Sequence, residues 1–359
     1  MKMKRFACGA LALLLTAALL CAPCAASPAI SAEKAVLLDA LTGRVLYEKD
    51  ADSRALIAST TKIMTALLVC ETCDLGARVR IPAEATGIEG SSLYLQPGEV
   101  LTVQELLYGM MLHSGNDAAV ALAIHCGGSV PEFVERMNVR AAELELSDTH
   151  YANPNGLDSE ENYSTARDLA RLSAFALQNP AFYRTVSCKT IRAGGRELRN
   201  HNRLLFRYDG AIGVKTGYTK AAGRILVSAA ERQGRRLICV TIHAPDDWND
   251  HTALLDFGFS AYTPKTLLTA GETVGTVPLF GGHCASVGLA AEETVTLPLA
   301  EGEVWSLRLQ VPQLVFAPVR TGDCAGSAEI LIDGVPAARI ALRYAGAGTE
   351  RPQNGTAEG

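Results

Sequence analysis

Ile57-Ala-Ser-Thr-Thr-Lys-Ile-Met-Thr-Ala-Leu-Leu-Val-Cys70 is the stretch from which the rest of this sequence is best read. Ile63, Met64, Ala66, Leu67, Leu68 and Val69 make it an almost wholly apolar helix after its first turn. A helix that is hydrophobic nearly all round belongs inside a core. Its first turn nevertheless carries Ser59 and Lys62, three residues apart and so on one helical face. Ser59 near a helix N-terminus meets free backbone N–H groups and the positive end of the dipole. A hydroxyl is a weak nucleophile until a base takes its proton. Lys62 is such a base only when neutral, which requires desolvation or a neighbouring cation.

Ser-x-x-Lys is common, and chance supplies about one in a chain this long. A second, Ser31-Ala-Glu-Lys34, precedes a strand, where no helix would align the pair; it is read as chance. Two further segments bear on Ser59. In Ser114-Gly115-Asn116, the Ser114 hydroxyl suits a proton relay between Lys62 and a leaving amine, and the Asn116 amide suits a substrate peptide group. The alternative is a helix-to-helix turn. In Lys215-Thr216-Gly217, a lysine and a hydroxyl on a strand edge suit a terminal carboxylate, with Lys215 also the neighbouring cation for Lys62. Gly217 would admit a close backbone, and the Tyr218 N–H would complete an oxyanion hole with the Ser59 N–H. The alternative is a surface hairpin.

Outward from these motifs, Ala35–Lys49 reads as a β-hairpin turning at Thr42-Gly43. Helices are expected over 103–125, interrupted near Ser114-Gly115-Asn116, and over 131–144 and 165–178, the last ended by Asn179-Pro180. Strands return at 224–230 and 236–243. Helices in the middle and strands at both ends indicate an α+β domain whose terminal strands share one sheet. From Tyr262 short apolar runs alternate with Gly-rich turns (273–280, 293–299, 305–311, 329–332, 338–344), the texture of a small all-β domain. Residues 346–359 are polar and Gly-rich, a composition expected to be disordered.

Residues 1–26 read as a signal peptide: Lys2, Lys4 and Arg5 precede the apolar run Ala10–Leu20, and Cys24-Ala25-Ala26 forms a small-residue cleavage site before Ser27. The formal net charge is −5, and no basic run suggests a nucleic-acid partner. Of the ten cysteines, Cys8, Cys21 and Cys24 fall in the leader, leaving an odd number and so at least one unpaired thiol or an intermolecular bridge. Cys70-x-x-Cys73 lacks a second pair for metal binding and reads as a buried helix end; Cys284 and Cys324 are candidates to pair. The seven histidines show no metal-ligand spacing. His113 reads as a packed turn residue, Asp117 as a local cap or salt link, and Asn153-Pro-Asn-Gly156 as a structural turn.

The ordered set Ser59-Thr-Thr-Lys62, Ser114-Gly-Asn116 and Lys215-Thr-Gly217 resembles that of penicillin-binding proteins and class A β-lactamases. Flanking segments resemble the serine-type D-alanyl-D-alanine carboxypeptidases, low-molecular-mass penicillin-binding proteins: Gly90-Ser-Ser-Leu-Tyr-Leu-Gln-Pro-Gly-Glu99, Leu112–Ala119, Tyr151–Asp158, Gly213–Tyr218 and Leu254–Phe259. The resemblance spans roughly residues 33–345. It implies a transpeptidase-like catalytic domain over 27–261, an antiparallel sheet flanked by helices, and an all-β domain over 262–345. It implies Ser59 as nucleophile, Lys62 as base, Ser114 as relay, Asn116 and Thr216 in substrate binding, and Lys215 as electrostatic support. It also implies action on peptidoglycan stem pentapeptides, inhibition by β-lactams, and no cofactor or metal. The alternatives are a DD-endopeptidase, a β-lactamase using a glutamate near Glu143-Leu-Glu145, or a non-catalytic envelope binding protein. Many family members end in an amphipathic membrane-docking helix. This tail has no apolar face, so an exported enzyme of the cell-wall space, without a clear membrane anchor, is expected.

Overall fold

A computed structural model describes residues 27–346. The expected signal peptide and nearly all of the expected polar tail lie outside these residues.

The hairpin Lys34–Asp39 and Val45–Lys49 joins three later strands, Ala211–Thr219, Gly223–Arg232 and Arg235–Ile242, in one antiparallel sheet. The N-terminal strand lies against the last of these, with Val36 opposite Val240. The sheet is therefore closed by chain segments about 200 residues apart, as the terminal-strand pattern predicts. The strand Ala211–Thr219 forms its edge. Both faces are covered. Val36, Val227, Ala229 and Val240 pack into the helical core. Leu37, Ala230 and Cys239 pack on the opposite side with Leu254 and Leu255.

The helical core holds α1 (Lys62–Thr72), α2 (Val103–Leu112), α3 (Asn116–Gly127), α4 (Val130–Glu143), α5 (Ala166–Ala176) and α6 (Pro180–Ser187). The short α7 (Leu204–Arg207) follows, and α8 (Asp247–Ala261) covers the far face of the sheet. The helix starts are chemically marked. Thr102 and Glu105 form a reciprocal capping box at α2, and Ser129 and Thr165 cap α4 and α5. Asn179-Pro180, expected to end α5, instead begins α6. The Asn179 side chain accepts from the N–H groups of Ala181 and Phe182, and Pro180 occupies the first turn, where its missing donor costs nothing.

At Tyr262 the chain passes from α8 into the strand Tyr262–Leu268, paired with Val295–Ala300. A six-stranded sheet follows, with its own core built around Leu289, Ala328, Ile330 and Leu342. Arg44 ties the two regions together through the Pro298 carbonyl and Glu303. The Tyr262 hydroxyl donates to the Leu46 carbonyl at 2.9 Å.

Two cysteine expectations change. Cys73 is bonded to Cys126, joining the ends of α1 and α3, while Cys284 and Cys324 are free and exposed. The i, i+3 reading of Cys70 and Cys73 missed this because the partner lies 53 residues away. The second Ser-x-x-Lys is dispersed: Ser31 donates to Asp250 at 2.8 Å, and Lys34 pairs with Asp50.

Candidate active site

Ser59 does not sit in α1. It lies on a 3-10 turn, Ala58–Thr61, that runs into the helix at Lys62. Residues i and i+3 eclipse in such a turn, and the Lys62 ammonium accordingly reaches the Ser59 hydroxyl at 3.0 Å. The turn is entered through Ala58 at φ +44, a left-handed conformation uncommon for a residue bearing a Cβ. Two glycines from distant segments enclose it. A Cβ on Gly156 would lie 1.9 Å from the Ala58 carbonyl oxygen, and one on Gly217 would lie 3.3 Å from the Ile57 carbonyl oxygen. Gly217, which also lines the cleft, thus packs the edge strand against the turn.

Lys62 is fully buried. Its ammonium also donates to Asn116 Oδ1 at 2.7 Å and to the Asn155 carbonyl at 2.5 Å. Burial, and then the nearby positive charge of Lys215, hold its pKa well below the ordinary lysine value; the Asp117 carboxylate opposes them. Lys215 reaches in from the edge strand and donates to Ser114 Oγ at 3.0 Å and to the Thr216 carbonyl at 2.8 Å. Burial lowers its pKa to about 7. Ser114 stands between α2 and α3 at φ +63, so the chain turns sharply there and presents Oγ to Lys215.

These groups border a cleft of about 630 Å³ lined by Ser59, Ser114, Thr216, Gly217 and Tyr218, with Lys62, Lys215 and Asn116 buried behind it. The structure therefore brings all eight expected site residues together. It adds groups not singled out in the sequence: Arg199, Arg203, Trp248 and the Arg224–Asp247 ion pair at 2.8 Å all line the cleft. His113 is both a packed residue and a cleft residue. It stacks on His201, and its Nε2 accepts from the Arg199 N–H at 3.1 Å. Burial holds both imidazoles below the usual histidine value, His201 at about 4. The Asn153–Gly156 turn does more than reverse the chain, since its Asn155 carbonyl is a partner of Lys62. Asp117 lies in the first turn of α3, where its carboxylate accepts from the Ala118 N–H at 2.8 Å. Among the described residues lining the cleft the acid is Asp247 and no glutamate is present; Glu143 is engaged with Arg140 at the end of α4.

A serine held by a buried lysine and a second serine held by a second buried lysine form an apparatus for acyl transfer. Comparison with known proteins gives the same direction. A family model described as D-alanyl-D-alanine carboxypeptidase matches residues 22–246. The chain belongs to the D-alanyl-D-alanine carboxypeptidase family. It is a serine peptidase, a hydrolase of the penicillin-binding-protein class. A second model, the C-terminal domain of penicillin-binding protein 5, matches residues 262–347. D-alanyl-D-alanine carboxypeptidase DacF of Bacillus subtilis is 36% identical over 339 residues, covering 88% of this chain and 87% of the relative. Among solved structures, penicillin-binding protein 5 of Haemophilus influenzae superposes with a TM-score of 0.78 at 29% identity, over 90% of this chain and 99% of that one. A mutant of the Streptomyces K15 DD-transpeptidase superposes with a TM-score of 0.63 at 36% identity, covering 65% of this chain and all (100%) of that one. The transpeptidase-like fold with a following all-β domain is thereby established for this chain.

Proposed function

We propose that this protein removes the terminal D-alanine from peptidoglycan stem pentapeptides, with Ser59 as nucleophile. The observation that carries the reading is the pairing of Lys62 Nζ with Ser59 Oγ and of Lys215 Nζ with Ser114 Oγ, each at 3.0 Å, beside one cleft. In the acylation step neutral Lys62 takes the Ser59 proton as Oγ attacks the carbonyl of the penultimate D-alanine. The backbone N–H groups of Ser59 and Tyr218 receive the developing oxyanion. The proton then passes by way of Ser114 to the leaving amine, the C–N bond breaks, and D-alanine departs. Water attacks the acyl-serine ester, releasing the tetrapeptide and restoring the Ser59 hydroxyl. Asn116 holds the substrate amide, and Thr216, supported by the Lys215 charge, holds the terminal carboxylate. A penicillin acylates Ser59 by the same route.

The same reading divides the chain at Ala261 and Tyr262, where α8 gives way to strand, and assigns catalysis to the first part. It also takes the enzyme as exported to the cell-wall space. Among the described residues no helix is long and apolar enough to cross a membrane.

The test is to incubate the purified protein with benzylpenicillin, map the adduct by peptide mass spectrometry, and assay D-alanine release from a pentapeptide. An adduct on Ser59 together with D-alanine release supports the assignment. A Ser59→Ala protein that still releases D-alanine refutes it. Rapid, complete turnover of the penicillin would instead favour a β-lactamase.

A further inference from the structure

We infer that Asp117 is a positioning residue, which holds the segment Glu89–Leu95 against the active site and through it fixes Asn116 and Lys62. This rests on the proposed function, since it assigns a role within that machinery. The Asp117 side chain is fully buried. Its two oxygens accept from the N–H groups of Leu93 (2.9 Å) and Leu95 (3.1 Å), from Ser92 Oγ (2.7 Å) and from the Ala118 N–H (2.8 Å). A carboxylate has about four lone-pair positions and no donor, so its accepting capacity is filled by the segment and by its own helix.

The segment in turn holds Asn116. The Ser91 carbonyl accepts from the Asn116 backbone N–H at 2.7 Å, and the Glu89 carbonyl accepts from Asn116 Nδ2 at 2.5 Å. Those bonds leave Asn116 Oδ1 facing Lys62 Nζ at 2.7 Å. The segment is also pegged sterically. Leu93 fills space that a Cβ on Gly109 would occupy, 2.1 Å from Leu93 Cδ1. From outside, Arg196 donates to the Leu93 carbonyl at 3.0 Å and pairs with Glu99. Ser91 itself lines the cleft.

Asp117 also acts through its charge. The charged groups facing Lys62 are Lys215 from the edge strand and Asp117 from α3, while Ser59, Asn116 and the Asn155 carbonyl complete its surroundings. Arg196 is the cation that faces Asp117 from the segment's outer side. A negative charge near Lys62 favours its ammonium form, so neutralising Asp117 makes Lys62 lose its proton at lower pH.

The experiment compares second-order acylation by a fluorescent penicillin across pH for wild type, Asp117→Asn, Ser92→Ala and Gly109→Ala, with a thermal melt of each. In Asp117→Asn an amide N–H₂ faces incoming donors. Acylation should fall about 100-fold, the order of loss that a misplaced catalytic group brings, and the acid limb should move to lower pH. Ser92→Ala and Gly109→Ala disturb the segment with the charge intact; both should slow acylation without moving the limb. If Asp117→Asn fails to fold, the two segment variants decide: slowed acylation with an unmoved limb supports the inference, and wild-type rates overturn it. Wild-type rate and limb in a folded Asp117→Asn also overturn it. A wild-type protein that forms no Ser59 adduct removes the proposed function, and this inference with it.

Discussion

Lys62 and Lys215 lie buried beside one another in the same site, each with its ammonium 3.0 Å from a different serine hydroxyl, Ser59 for Lys62 and Ser114 for Lys215. Burial is the larger influence on Lys62, and the Lys215 charge adds to it. In the proposed reaction the two lysines would divide the work: burial and the Lys215 charge both favour the neutral form of Lys62, the form that can accept a proton.

Replacing Lys215 by Met removes a like charge from beside Lys62 and raises the pKa of Lys62. The acid limb of penicillin acylation should therefore move to higher pH, and the maximal rate should fall as Ser114 loses its partner. A limb that stays in place would show that Lys62 is not the base. Stability should respond as well. The folded pKa of Lys215 is about 7, against 10.5 for an ordinary lysine. Between these values the unfolded chain binds more protons, so stability rises with pH across this window. Below the folded value the burial penalty is complete. Lys215→Met should accordingly raise the melting temperature more at pH 6 than at pH 10.

Gly156→Ala should disable the site without touching a reacting group. The new Cβ would meet backbone at Ala58, 1.9 Å away, and Gly156 sits at φ +86. Strain at such a position costs about 1–3 kcal/mol before the clash is counted, and the Ser59 turn must shift to relieve it. Chemical denaturation should show a loss of at least this size, and Ser59 labelling by penicillin should become very slow. Unchanged labelling would separate Gly156 from the nucleophile.

Thr65 gives a subtler handle on Lys62. Its hydroxyl donates to the Pro154 carbonyl at 2.7 Å within the core, holding the turn whose next carbonyl, that of Asn155, meets Lys62. Thr65→Val leaves a buried acceptor unsatisfied, at about 1–3 kcal/mol. Urea melts should show that loss, and kcat should fall more than KM rises, because Lys62 is reoriented while the cleft is unchanged.

Thr216→Val tests the carboxylate site. A hydrogen bond to a charged group contributes about 1.5–3 kcal/mol, so kcat/KM for a pentapeptide should drop roughly 10- to 100-fold while the melting temperature stays near wild type. A substrate with its terminal carboxylate amidated should lose this discrimination between wild type and variant. An equal loss on both substrates would place Thr216 elsewhere in the mechanism.

Peptide mapping without reduction should recover Cys73 linked to Cys126, with Cys284 and Cys324 both alkylated as free thiols. A Cys284–Cys324 peptide would contradict the fold described for the all-β region.

Most of the elements and the residue types of the site are legible in the sequence, although the 3-10 turn at Ser59 and the helix that starts at Pro180 are not. The apolar run after Lys62 reads as a buried helix, the terminal strands fit a shared sheet, and three short motifs taken together point to the two lysines and two serines. These are properties of local pattern and residue type. The eclipsed geometry of Ser59 and Lys62 was decided by the tertiary structure, because it depends on a left-handed Ala58 packed against Gly156 and Gly217 from remote segments. The same holds for the Asn155 carbonyl and the Asp117 anchor, whose partners lie 93 and 22 to 25 residues away in the chain. The cationic rim of Arg199, Arg203 and Arg224 carried no sequence signal at all, since isolated arginines become a site only when folding brings them to one cleft. Spacing along a chain reports neighbours on one helix or strand; the depth of burial that lowers a lysine pKa is a property of the packed whole.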